Sequence, residues 1–418
     1  MTTVLLIGGG GREHALADSI DRSPLLTKLY AAPGNPGIAR LAECVALNPG
    51  DHDAVVGFAR SHDVDLVVVG PEAPLVDGLA DSLMAAGIAC FGPSAKAAML
   101  EAAKEFARDF CARHHIPQPG YAPFDDIAEA KAYVRGRFNG GACVIKADGL
   151  AAGKGVVVAE DEAEAFAAIE MILGDANFGG ASLVVEDRIH GTEASLFAVV
   201  DGPDAVMIGS AQDHKRAYDG DKGPNTGGMG AVSPAPALTD DALATAWRDV
   251  VEKTAKGMAA EGMPYRGFLY AGLMLTDSGP QVIEFNCRFG DPEAEVVLPR
   301  LKSDLLSAML TATSGGLGHV DFRFDPQVAV TVVMANGGYP GAYETGGVIT
   351  GLEDDQPGTM VFHAGTTAKD AAITATGGRV LAVTALGDDQ AEARAKAYAR
   401  VKTITWPGAF HRSDIAAG

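Results

Sequence analysis

In the first hundred residues, apolar runs stop abruptly at glycine-rich turns and helical patterns follow them. Val4–Ile7 runs into Gly8-Gly9-Gly10-Gly11, and Glu13–Ile20 reads as the next helix. Leu29–Ala32 leads to Pro33-Gly34-Asn35-Pro36-Gly37, and Leu66–Val69 to Gly70-Pro71-Glu72-Ala73-Pro74. Strands that are apolar on both faces need cover on both, and strand–helix alternation provides it in a parallel, doubly wound sheet. Ligands bind such a sheet at the loops beyond its strand ends. Ile88–Phe91 and Gly92-Pro93-Ser94 close this unit, and the Ala-rich stretch Ala95–Ala112 is expected to be one linking helix.

At 418 residues the chain exceeds one ordinary core, so two to four packed units are expected. From Ile116-Pro117-Gln118-Pro119 the pattern changes. Cys143–Ala147 and Val156–Ala159 read as a hairpin around the loop Gly149–Gly155, with Ala163–Leu173 helical and Leu183–Glu186 a buried strand. Gln212–Pro236 shows no regular pattern and reads as a long functional loop before a helix over Trp247–Ala260. Past Thr311–Gly318 a third unit carries strands Val328–Met334 and Val380–Thr384 and a helix Gln390–Lys402.

A net charge of −21 argues against a nucleic-acid or membrane-surface binder, which needs a basic face. An anionic substrate then requires lysines and arginines gathered in one cleft. No apolar run approaches the roughly 18–20 residues of a membrane span, and Met1–Ile7 has no basic segment of the signal-peptide kind. The five cysteines, Cys44, Cys90, Cys111, Cys143 and Cys287, form no C-x-x-C pair. Reduced, mostly buried thiols in a cytoplasmic protein are expected.

The chemistry concentrates in Gln281–Leu301. Glu284 and Asn286 stand two apart on a strand-like run, so both face one side and can hold one hard cation, with Ile283 and Phe285 buried behind them. Arg288, planar and permanently charged, suits a small carboxylate. Upstream, Lys146 on a strand and Lys154 on the following glycine loop, with Gly153 and Gly155, suit phosphates under a closing hairpin. A Walker A loop is ruled out because Gly155, not Ser or Thr, follows Lys154 and a strand comes next. The N-terminal glycine loop lacks the G-x-G-x-x-G of a dinucleotide fold, and Arg12 at the helix start suits a single phosphate. In Gln212–Arg216 and Gly223–Gly230, the glycines allow close backbone approach to a small ligand, and Asp213 can hold an ammonium group.

The combined strings VLLIGGGGREHAL, APGNPG, VVGPEAPL, GPNTGGMGA and QVIEFNCRFGDPEAEVVLPRL resemble the glycinamide ribonucleotide synthetases of the ATP-grasp superfamily. The similarity extends through MANGGYPGAYETG, VFHAGT and GGRVLAVTALG, so it covers nearly the whole chain. It implies an α/β architecture in three parts: a doubly wound domain over 1–103, an ATP-grasp domain over 104–324 with a mobile lid at about 118–190, and a small α+β domain over 325–418. It implies ATP-dependent ligation of glycine to 5-phosphoribosylamine in purine synthesis, with Mg²⁺ or Mn²⁺, small-molecule partners only, and a monomer or weak homodimer.

Carried over residue by residue, the resemblance puts ATP at Lys104, Lys146, Gly153, Lys154, Gly155, Glu186 and Glu193, and the metal at Glu284 and Asn286. Glycine falls to Asp213, Gly228 and Arg288. Phosphoribosylamine falls to Gly10, Gly11, Arg12, Glu13, Asn35, Pro71 and Glu72. Arg288, Lys154 and Asp213 become the catalytic set. The chain departs from the family where Glu101-Ala102-Ala103-Lys104 replaces a segment with Ser before the lysine, and where Ala294-Glu295 stands in place of Thr-Gln. Other ATP-grasp ligases or carboxylases would differ in the GPNTGGMGA and GGGGREHA loops, and a non-catalytic descendant would have lost a phosphate lysine or a metal ligand.

Overall fold

The computed structural model describes residues 2–149, 155–174, 182–354, 356–370 and 372–417. The apolar runs of the first hundred residues form a five-stranded parallel sheet. Its order is Glu43–Cys44, Leu26–Pro33, Thr2–Gly8, Leu66–Val69 and Cys90–Phe91. The chain builds outward on one side of Thr2–Gly8 and then crosses to the other, which puts the topological switch point beside the glycine loop. No helix among the described residues is long and apolar enough to cross a membrane.

The main body is a nine-stranded antiparallel sheet. It runs Gly279–Asn286, Arg266–Thr276, Thr192–Asp201, Asp204–Asp213, Gly230–Ser233, Val328–Asn336, Arg379–Gly387 and Thr359–His363, and Ala409–Phe410 also pairs with Val328–Asn336. The sheet therefore continues past residue 325 without a break: Gly230–Ser233 pairs with Val328–Asn336 over Gly230↔Val332 to Ser233↔Ala329. One apolar core joins this sheet to the N-terminal one, with Val4, Leu16, Phe91, Phe197, Phe268, Phe289 and Phe362 all buried in it.

The lid is a separate four-stranded sheet in the order Tyr121–Phe124, Leu183–Asp187, Cys143–Ala147 and Val156–Ala159. Helices Ile127–Phe138 and Glu162–Gly174 cover it, and Val134, Ile145, Ile169, Ile172 and Val185 make its own core.

Four local expectations change. Ala95–Ala112 is two helices, Ala95–Ala102 and Lys104–Arg113, because Ala103 is extended at φ −131°, ψ 112°. Asp148 from the lid caps the second helix, its Oδ1 accepting from Lys104 N–H and Glu105 N–H. Gln212–Pro236 is not irregular. It contains Arg216–Tyr218 and Lys222–Asn225, paired with each other, and Gly230–Ser233 in the main sheet; these strands are too short and too rich in Gly and Pro to show a period. The helical rod containing Trp247–Ala260 begins earlier, at Asp240, where Thr239 caps it, and it passes through a π-turn over Trp247–Glu252. Finally, the register against Arg266–Thr276 shifts between Gly272 and Leu273, leaving Ile283 as an extra residue in a bulge. Ile283 is consequently half-buried on the cleft side, while Phe285 is buried behind the strand as expected.

Candidate active site

A cleft of about 710 Å³ opens where the three parts meet. Arg12 and Glu72 reach it from the N-terminal sheet, Lys146 and Glu186 from the lid, Glu284, Asn286 and Arg288 from the main sheet, and Arg379 from the C-terminal strands. Residues more than three hundred positions apart thus share one wall.

On the lid side, Lys146 Nζ lies 2.9 Å from Glu186 Oε2 and donates to Ile283 O at 2.7 Å. Arg108 Nε donates to the other oxygen of Glu186 at 2.7 Å, and its two terminal nitrogens donate to Val282 O and Ile283 O. The bulge turns the Ile283 carbonyl toward both cations. Burial raises the Glu186 carboxyl, but Lys146 and Arg108 outweigh it and hold the group below its ordinary value. Burial brings the Lys146 ammonium down to about 8, with Glu186 opposing. The side chain of Glu186 therefore fixes Lys146, and only its backbone remains for a nucleotide base. Lys104 and Gly155 also line the cleft, and Lys104 Nζ donates to Glu101 O at 3.1 Å. Gly153 and Lys154 lie outside the described residues.

Lys215, unassigned from sequence, occupies the centre. Its Nζ is 3.1 Å from Glu193 Oε2 and 3.4 Å from Glu284 Oε1. The lysine holds Glu284 down at about 2 against burial, so this carboxylate is ionised throughout the physiological range. Glu193 faces Lys215 rather than an open ribose or metal position. Asn286 satisfies its neighbours with its amide nitrogen donating to Glu101 Oε1 at 3.0 Å and Phe285 O at 3.2 Å, which leaves its oxygen as an acceptor. An anionic carboxylate and an amide oxygen on one strand, both on the cleft wall, fit a hard divalent cation whose other ligands are phosphate oxygens and water. No group of three or more His, Cys, Asp or Glu placed to hold a metal exists among the described residues. The donor set therefore matches a cation brought with a nucleotide rather than a protein cage.

Arg288 is more engaged than a free clamp. Nε bonds Glu72 Oε2 at 3.1 Å, Nη2 is 3.1 Å from Glu101 Oε1, and Nη1 donates to Phe289 O at 3.1 Å. Further N–H groups of its terminal nitrogens remain for a ligand carboxylate. Glu101 also accepts from Cys287 N–H at 2.7 Å. This one glutamate thus anchors the strand of Glu284, the arginine and Asn286, and Lys104 beyond the helix break lines the same cleft. The Cys287 thiol is buried and raised by that burial, which fits packing and not nucleophilic work. Asp213 lines the cleft with no ion pair among the described residues; burial raises its carboxyl to about 6.

The N-terminal loop is tied together by its own side chains. Gly10 N–H already donates to Glu13 Oε2 at 2.7 Å, and Glu13 Oε1 accepts from Arg12 Nε at 2.6 Å. A Cβ on Gly8 or Gly70 would lie within 2.6 Å of the Glu13 side chain, so the glycines there make room for a buried glutamate. Asn35 joins the loop to the rest of the molecule: its amide donates to Gly9 O at 2.9 Å and His363 O at 2.7 Å, and its oxygen accepts from Gly37 N–H and Ile38 N–H. Pro71 begins the short helix that carries Glu72. Of the residues assigned here to phosphoribosylamine, Arg12 and Glu72 line the cleft; Gly10, Gly11, Glu13, Asn35 and Pro71 support them from behind. Gly228 is constrained by its own backbone. Its φ is +117°, and a Cβ would meet Pro292 Cδ at 2.4 Å.

Sequence reasoning missed Lys215, Glu101, Arg108 and Arg379. Lys215 had a signal, since it follows Asp213 at the same two-residue spacing that singled out Glu284 and Asn286. Arg379 had none, because it reaches Gly227 O and Asp291 across long sequence separations.

Family models match the chain in three consecutive blocks: phosphoribosylglycinamide synthetase N domain over residues 2–101, ATP-grasp (A) domain over 102–294 and C domain over 329–418. The phosphoribosylamine–glycine ligase of Rhizobium meliloti (strain 1021) is 53% identical over 413 residues, covering 99% of this chain and 97% of that protein. That of Vibrio cholerae is 49% identical over 418 residues, with the same coverage. Among solved structures, the phosphoribosylamine–glycine ligase of Thermotoga maritima superposes with a TM-score of 0.85 at 31% identity, over 99% of this chain and 100% of that one. The biotin carboxylase domain of Hydrogenobacter thermophilus 2-oxoglutarate carboxylase, solved with MgADP and bicarbonate, reaches 0.76 at 17% identity and shares the fold. With its N, ATP-grasp and C blocks in that order around one cleft, this chain belongs to the phosphoribosylglycinamide synthetase family.

Proposed function

We propose that this chain joins glycine to 5-phosphoribosylamine with ATP, releasing ADP, phosphate and glycinamide ribonucleotide through glycyl phosphate, as a step of purine synthesis. The observation that carries the reading is the Arg288–Glu72 contact. It ties the metal-bearing strand to the N-terminal domain, so a small acid activated at Arg288 lies next to whatever Arg12 and Glu72 hold.

In this reading Lys104, Lys146, Lys154 and Gly155 receive the ATP phosphates, and Glu186 keeps Lys146 in place. Glu284 and Asn286 would hold Mg²⁺ or Mn²⁺, which supplies charge neutralisation on the transferring phosphoryl group. Asp213 takes the glycine ammonium, and the free N–H groups of Arg288 orient its carboxylate toward the γ-phosphorus. Arg12, with Glu72 at 4.0 Å, faces the phosphoribosylamine. Closure of the lid over this arrangement excludes water, which would otherwise hydrolyse the acyl phosphate. A cytoplasmic monomer or weak homodimer, divided near residues 103 and 324 with a lid at about 118–190, completes the proposal.

The test is ADP release with Mg-ATP, glycine and phosphoribosylamine, each omitted in turn. Release that needs all three and disappears in Glu284→Ala is the expected result. Release without glycine or without the amine overturns the substrate assignment.

A further inference from the structure

Almost every acidic side chain on the cleft wall has a cation beside it. Glu72, Glu101, Glu186, Glu193, Glu284 and Asp291 each lie within 4.0 Å of a lysine or arginine nitrogen. Asp213 and Glu293 do not, among the described residues, although both line the same cleft and Glu293 is only 4% exposed. The side chain that meets Glu293 is neutral: Ser195 Oγ donates to Glu293 Oε1 at 3.4 Å. A buried carboxyl with no counter-ion is costly unless it has another use. Space is reserved for it too, since a Cβ on Gly290 would stand 2.3 Å from Glu293 Oε2.

The turn that carries Glu293 is where the second substrate would meet the first. Phe289 O receives both Arg12 Nη1, at 3.3 Å, and Arg288 Nη1. Asp291 Oδ2 lies 3.6 Å from the Cβ position of Gly10. Glu293 thus stands between the glycine pole at Asp213 and the N-terminal domain.

We propose that Glu293 accepts the proton that the attacking amine loses when it displaces phosphate from the acyl phosphate. The inference rests on the ligase reading above. In the step, the nitrogen lone pair forms the C–N bond, and the C–O bond to phosphate breaks with its electron pair leaving on phosphate. One N–H proton passes to the Glu293 carboxylate, and a neutral amide results. Burial, and after it the charge of Asp213, raise this carboxyl to about 8, so the ionised form that accepts the proton grows as pH rises toward and through that value. Phosphoryl transfer to glycine involves no such proton, so the two half-reactions should respond differently.

Rapid-quench single turnovers of Glu293→Gln with ATP, glycine and phosphoribosylamine separate them. The expected result is one equivalent of ADP formed at the parent rate, which also shows an intact fold, and amide formed roughly a hundredfold or more slower. ADP and amide slowing together, or amide forming at the parent rate, overturns the inference. Parent enzyme that forms no amide overturns the ligase reading instead.

Discussion

Glu295 is buried with both carboxyl oxygens lacking a hydrogen-bond partner, and a Cβ on Gly11 would lie 2.3 Å from Oε1. Burial, followed by Asp291, raises this acid well above its ordinary value. The folded chain then keeps a proton that the unfolded chain releases above about pH 4.3, so stability is lost as pH rises from there. Glu295→Gln should gain on the order of 1 kcal/mol at pH 7.5 and much less at pH 4.5 by denaturant titration; equal effects at both values would refute a neutral acid. His14 gives the opposite slope. Its Nδ1 accepts from His363 N–H at 2.8 Å, and burial, then His363, lower it to about 3. The unfolded chain takes up that proton below about pH 6.5, so stability falls as pH drops from there toward 3. His14→Asn should flatten the fall in Tm between pH 6.5 and 4.5. A third outcome concerns Glu186→Ala, which strands Arg108 and Lys146 as buried charges. We expect a loss of about 3–5 kcal/mol together with loss of ATP binding by calorimetry. At this scale the sequence was legible where spacing or chemistry is local, as for Glu284, Asn286 and Lys146. It was silent on Glu101 and Arg108, whose roles come from partners on other elements, and on the internal bonds of Glu13 and Asn35, because a glycine-rich turn does not announce which side chain packs against it.

Among the elements, the apolar strands of the first hundred residues were legible because continuous hydrophobicity admits few arrangements. The break at Ala103 was not, since alanine favours helix and the capping carboxylate, Asp148, lies in the bend after Cys143–Ala147. Asp148 Oδ1 takes the first N–H groups of Lys104–Arg113, while Oδ2 accepts from Ser182 Oγ at 3.0 Å. The cap comes from the end of a lid strand, so it couples the lid to the helix that carries Lys104 and Arg108. Asp148→Ala should cost about 0.5–2 kcal/mol and speed hydrogen exchange at both Lys104–Arg113 and Cys143–Ala147. Exchange that changes on the helix alone would sink the coupling.

The largest lesson of the whole molecule is the sheet that ignores the expected boundary near residue 325. Three family blocks along the chain suggest beads, but Gly230–Ser233 and Val328–Asn336 are neighbours in one sheet. Arg379 then reaches back to Gly227 O at 2.8 Å and to Asp291 Oδ1 at 3.2 Å. Antiparallel pairing across this distance leaves no trace in local pattern, which is why the boundary looked clean. A chain stopped at residue 324 should aggregate, because the Gly230–Ser233 edge loses its partner; a soluble, cooperatively unfolding fragment by calorimetry would contradict this. The same seam bears on synthesis. Gly230–Ser233 leaves the exit tunnel well before its partner Val328–Asn336, and Arg379 follows later still. The growing polypeptide therefore passes through an interval with an open strand edge, and the cleft is complete only once Arg379 has joined its wall.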